Sequence, residues 1–171
     1  MNLNVSNMLA GAMRGTLYGA LGGLVLGAVG HAFGGKIDFE AEMIWRDPSG
    51  KRQRFQYLSD VDTWEIGEDL YSLYKYRSNH KESVDEMCRN VQSFLILYHR
   101  FVESGTADAS SVASATGYAV RAGQSVRALK QATSISDCIG SDIIQKSGMN
   151  LQLSIEELIN QMRIAASKSV G

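Results

Sequence analysis

One run in the chain has the spacing of a nucleotide-binding loop: Gly30-His31-Ala32-Phe33-Gly34-Gly35-Lys36. A loop of that kind needs Ser or Thr after its lysine to hold Mg²⁺, and it leads from a strand into a helix. Here Ile37 follows Lys36, and the flanking pattern runs from helix to strand, so no nucleotide site is expected. Zinc would need several His and Cys side chains converging on one point. Outside the glycine-rich segment only Cys88, Cys138, His80 and His99 are on offer, without a ligand spacing. No HExxH, CxxC or GxSxG occurs. Asp60, Asp62, Glu65, Glu68 and Asp69 form an acidic run, which suits the positive end of a helix dipole. Glycosidase-like or metal chemistry is its remote alternative. No catalytic residue, cofactor, metal or small-molecule substrate is therefore assigned, and the chain is expected to be non-enzymatic.

Composition narrows the classes further. The 171 residues carry 17 Lys and Arg against 18 Asp and Glu. A nucleic-acid-binding body would show a clear basic excess, so no nucleic-acid partner is expected. Two cysteines are too few for a disulfide scaffold. Cys88 falls on an apolar helical stripe and is expected to be a buried, reduced thiol. His99 falls off that stripe with no evident carboxylate or thiol partner. Asn4-Val5-Ser6 fits a glycosylation sequon, a triplet common by chance.

The glycines carry the strongest pattern. Nine of the 17 lie between Gly11 and Gly35. Gly11, Gly15, Gly19, Gly23 and Gly27 recur every four residues, and Gly30 and Gly34 continue the stripe. Residues three and four apart share one helix face, so this is a helix with one side stripped of side chains, able to pack backbone against backbone. Each interior glycine costs a helix about 1 kcal/mol relative to alanine, so lipid or a protein groove must hold it. The uncharged window Gly15 to Gly35, bounded by Arg14 and Lys36, is long enough to cross a bilayer core. Its seven strongly apolar residues contribute only about −2 to −4 kcal/mol toward insertion. A membrane-spanning helix is the leading expectation. Burial in a protein assembly and a cleaved signal peptide are the alternatives. Arg14 and Lys36 nearly balance, so charge sets no orientation. The stripe resembles the glycine-zipper segments of many unrelated membrane and virion-associated proteins, a likeness that implies close helix packing and no activity.

After Lys36 the period changes to two. Ile37, Phe39, Ala41, Met43 and Trp45 alternate with Asp38, Glu40, Glu42 and Ile44, which predicts a strand with one apolar face. Asp47-Pro48-Ser49-Gly50 is a turn, with proline preset for the second position and glycine free to take positive φ. A three-residue loop with a glycine bulge pairs Asp47 with Lys51, Trp45 with Gln53, Met43 with Phe55 and Ala41 with Tyr57. Arg46 then faces Arg52. Lys51, Arg52 and Arg54 cluster at the turn. A solvated tip that deters edge pairing is the leading reading, and contact with lipid headgroups or another partner is the alternative.

From Val61 onward the spacing is helical. A first helix is expected to start at Asp62-Thr63-Trp64-Glu65, with Asp62 as cap and Glu65 reaching back, and to use Ile66, Leu70, Leu73 and Tyr74, with Tyr71, Tyr74 and Tyr76 packing amphipathically. A second, announced by Asn79-His80-Lys81-Glu82, carries Val84, Met87, Cys88, Val91, Phe94, Leu95, Tyr98, Phe101 and Val102. It should end near Gly105. A third, over Thr106–Thr133 and capped by Asp108, offers a thin face of Val112, Thr116, Ala119, Val120, Gly123, Val126 and Lys130. Arg121, Arg127 and Lys130 are expected at its far end, as partners of the dipole or as a basic patch. A short helix, Ser136–Ser147, is built around Ile139, Ile143 and Ile144 and stopped by Gly148. Ser154-Ile155-Glu156-Glu157 opens a terminal helix on Leu158, Ile159, Met162, Ala165 and Ala166.

The expected architecture is mainly α: a glycine-zipper helix at 1–35, a β-hairpin at 36–60, and a bundle of about five helices at 61–171. The expected function is that of a membrane-anchored, single-pass structural or scaffold protein. It packs against a lipid bilayer and other subunits through its glycine face, within an assembly such as a virion shell over an inner membrane or an envelope complex. Its body lies in a reducing compartment or a virion interior. A pore-forming protein and a small enzyme with an incidental anchor are the alternatives.

Overall fold

The computed structural model describes residues 43–58, 61–134 and 136–170. The glycine helix at 11–35, including Gly11, Gly15, Gly19, Gly23, Gly27, Gly30 and Gly34, lies outside these residues, as do Phe39, Ala41, Glu42 and the Gly30–Lys36 loop. The described chain is a two-stranded hairpin, β1 (Ile44–Arg46) and β2 (Arg52–Arg54), laid on four helices. These are α1 (Trp64–Tyr74), α2 (Lys81–Ser104), α3 (Ala109–Ser134) and α4 (Cys138–Val170), with a 3₁₀ turn at Val61–Thr63 before α1. Helices α2, α3 and α4 pack in sequence order, and α1 closes the bundle mainly against α4.

The hairpin has the expected register: Trp45 opposite Gln53, and Arg46 opposite Arg52. Gly50 takes φ +87°, its N–H donates to Asp47 O at 2.8 Å, and Asp47 N–H donates to Lys51 O at 3.0 Å. Pairing in an antiparallel ladder alternates, so Ile44 and Arg46 turn their backbone groups to the outer edge. There the Tyr74 hydroxyl accepts from Ile44 N–H and donates to Ile44 O, at 3.1 and 2.9 Å. Arg89 donates to Arg46 O at 2.6 Å. Met43, Trp45, Phe55 and Leu58 are buried in the same core as the helices. The second strand is shorter than its alternation predicts: Tyr57 leaves it with φ +66°, stacked on His99 with ring centroids 4.0 Å apart.

Helix α2 buries Val84, Met87, Cys88, Val91, Phe94, Leu95 and Tyr98 and ends at Gly105, whose N–H closes on Phe101 O at 2.8 Å. Val102, expected on this stripe, is exposed in the final turn. Two expected caps are absent. Thr63 and His80 precede α1 and α2, and neither makes a side-chain cap bond. Asp62 instead lies 3.1 Å from the Tyr98 hydroxyl. Asp108 does cap α3, accepting from Ser111 N–H at 2.7 Å.

The largest difference is α4. It runs unbroken through Gly148 and Ser154, replacing the two helices expected there. The reason is the crossing with α3. A Cβ on Gly148 would run into Val126 Cγ1, and one on Gly123 would meet the end of Gln152. Close packing at this crossing outweighs the roughly 1 kcal/mol that a helical glycine costs. Ser154 is buried in mid-helix rather than serving as a cap. The true N-cap is Asp137, which accepts from Gly140 N–H at 2.8 Å.

Helix α3 is also rotated from expectation. Its buried residues are Ala115, Ala119, Ala122, Ser125, Val126, Leu129 and Thr133, while Val120 is exposed. Arg121 sits in mid-helix rather than at the far end, with Nε 3.2 Å from Asn90 Oδ1 and its guanidinium over the Tyr118 ring.

Candidate docking surface

Two faces of the body could meet another molecule. The first is polar. A depression of about 740 Å³ lies between the hairpin tip, the start of α2 and the middle of α3. A smaller one of about 440 Å³ adjoins it and includes Arg54. Their charges are largely answered within the chain. Arg77 Nε meets Asp85 Oδ1 at 2.6 Å, with a second bond from Nη2 to Oδ2 at 3.2 Å. Arg89 pairs with Glu86, and Arg121 is held by Asn90.

Asp47 accepts from Ser49 N–H, Ser49 Oγ, Lys51 N–H and Gln53 Nε2 at 2.6–3.0 Å. Those bonds, chiefly from the Ser49 and Gln53 side chains, lower its pKa to about 2. It is therefore an ionised turn brace, a poor proton carrier at neutral pH. Lys51, Arg52 and Arg54 are exposed on the hairpin. Arg52 and Arg54, two apart, share one strand face, and Lys51 belongs to the turn.

Of the acidic run, Asp60 lies outside the described residues, and the rest is dispersed. Asp62 faces Tyr98, and Asp69 is buried in α1. His99 has two neighbours that the sequence reading missed: the Tyr57 ring, and Glu103 at 3.4 Å one turn along the helix. Cys88 is buried, and burial, with Asp85 adding to it, pushes its thiol pKa well up. Cys138 is exposed at the start of α4. Among the described residues, no group of three or more His, Cys, Asp or Glu side chains could hold a metal ion. No described helix is long and apolar enough to cross a membrane.

The second face is apolar. Most of the large exposed hydrophobic side chains lie on α4: Ile139 at 74% exposure, Leu153 at 62%, Met149 and Ile164 at 57%, and Ile143 at 44%. Val120 of α3 adds to them at 52%. Val120, Met149 and Leu153 line a groove of about 590 Å³ between α3 and α4, with Arg127 and Lys130 on one side and Glu156 on the other. Single exposed apolar residues are ordinary, whereas several concentrated on one helix and its border are not.

This face could have been found in the sequence. Ile139, Ile143, Leu153 and Ile164 share a helix face opposite the buried one, but only if the helix is unbroken. Reading Gly148 as a stop destroyed the phase relation between its two halves. Compared with protein-family models, curated proteins and solved structures, the chain matches none.

Proposed function

We propose that this is a non-enzymatic structural protein, anchored in a membrane by its glycine-faced helix and docked into a larger assembly through its helical body. The observation that carries the docking half is the concentration of exposed apolar side chains along α4 and its border with α3. A surface of this kind gains free energy only when another apolar surface covers it. The anchoring half rests on the stripe of seven glycines from Gly11 to Gly34 and on the uncharged 21-residue window, Gly15 to Gly35, that holds six of them. In this reading Gly11, Gly15, Gly19, Gly23, Gly27, Gly30 and Gly34 pack against neighbouring helices. Lys51, Arg52 and Arg54 are exposed on the hairpin, where they would meet anionic headgroups or an acidic partner.

The test is flotation of the full chain with liposomes, after carbonate extraction, beside a chain that begins at Lys36. Retention of only the full chain with lipid supports the anchor, and loss of both to the soluble fraction overturns it. Replacing Gly19 and Gly23 together with Leu should leave flotation intact and abolish assembly through the glycine face. Dye leakage from the same liposomes would instead favour a pore.

A further inference from the structure

We infer that α4 is a self-association seam, on which a second copy of this chain docks antiparallel. The seam is a seven-residue pattern that the buried face of α4 does not use. Ile139, Lys146 and Leu153 recur every seven residues, and Asn150, Glu157 and Ile164 interleave at the same interval. At 3.6 residues per turn these six positions fall within an arc of about 60°. Asn150 and Glu157 are half-buried, and the other four are exposed. This is the spacing of a two-helix coiled-coil seam, in which such positions face one another.

Self-complementarity identifies the occupant and its direction. Place a two-fold axis midway between residues 151 and 152 and run the helices antiparallel. Ile139 then faces Ile164 of the second copy, Lys146 faces Glu157, and Asn150 faces Leu153. Each end brings apolar to apolar, and the charges meet as two symmetric ion pairs. A parallel arrangement would set Lys146 against its own copy and Glu157 against its own, which is repulsive. No ion pair within the described residues uses either side chain. The seam from Ile139 to Ile164 is about 38 Å long at 1.5 Å per residue, and Met149 and Val120 extend its apolar flank. Symmetry makes the surface isologous, as two-fold homodimers require. The inference goes beyond the anchoring role and is independent of it, because no glycine of residues 11–35 takes part.

The experiment uses the full chain with Cys138→Ser, so that only the buried Cys88 remains as a native thiol. Ile139→Cys and Ile164→Cys are introduced singly and together and treated with a short bis-maleimide. Within one helix the two positions are about 38 Å apart, so a short linker cannot join them in one copy. The double variant should give a covalent dimer and the single variants none. Dimer from either single variant would mean a parallel seam, and no dimer from the double variant would mean no seam; each overturns the proposal. In the double-cysteine background Lys146→Glu should abolish cross-linking, and adding Glu157→Lys should restore it. Cross-linking indifferent to Lys146→Glu also overturns it. All these positions lie off the buried face, and unchanged circular dichroism shows that the fold is retained. Flotation reads the anchor separately, so the two proposals fail separately.

Discussion

Asp47 shows how a single side chain can define a local structure. Its carboxylate gathers four donors from the turn and from β2. The folded state therefore holds a proton on this group less tightly than the unfolded chain does. The stability it contributes is fully present above the ordinary pKa of 3.8 and is lost as the pH falls through about 2. Carboxyl NMR titration should find its midpoint near 2, and a midpoint near 3.8 would mean the turn is open in solution. Arg77 and Asp85 make a different kind of contribution. Asp85 is buried, and Arg77→Ala would leave its charge unanswered, at a cost of about 3–5 kcal/mol in urea unfolding. The two thiols should separate cleanly. A thiol reagent should label Cys138 quickly in the native state and Cys88 only after denaturation, because burial holds Cys88 protonated.

At the scale of elements, the α3–α4 crossing decides most. Gly123 and Gly148 both lie on it, but their neighbours differ. Gly148 faces Val126, a stiff branched side chain, whereas Gly123 faces the movable end of Gln152. Gly148→Ala should therefore lower the melting temperature, as overpacking costs about 1–3 kcal/mol against about 1 kcal/mol of helix propensity gained. Gly123→Ala should be close to neutral, and the reverse order in thermal unfolding would refute this account of the crossing. Ser154 offers an opposite sign. Its hydroxyl is buried with no hydrogen-bond partner among the described residues, so Ser154→Ala should hold or raise stability, by up to about 1 kcal/mol. The same crossing explains why one long helix stands where the sequence predicts two. A glycine and a serine–glutamate pair are valid end signals locally, and only the contact with α3 reverses them.

At the scale of the whole molecule, the described hairpin and helices share one core, and side chains close the outer edge of β1. Tyr74 and Arg89 satisfy the outer edge of β1, a role usually filled by another strand. Tyr74→Phe keeps the ring and removes both bonds to Ile44. It should destabilise the fold by about 1–3 kcal/mol, with the loss of amide protection concentrated at Ile44 in hydrogen exchange. Among the described residues, most of the large exposed apolar side chains lie on α4, on the side away from the core.

Sequence alone determined the helical class, the hairpin register and its Gly50 turn, the buried stripe of α2 with Cys88 on it, and the Asp108 cap. These follow from interactions between residues close in the chain, where periodicity and turn chemistry act directly. Tertiary structure decided the continuity of α4, the rotation of α3, the partners of His99 and Asp62, and the left-handed backbone of Tyr57. Apart from Glu103, one helical turn from His99, these depend on contacts between residues far apart in sequence. Small side chains also leave a helix such as α3 with no strong face of its own. Its orientation is then set by what packs against it, because burial energy scales with the area that a neighbour covers.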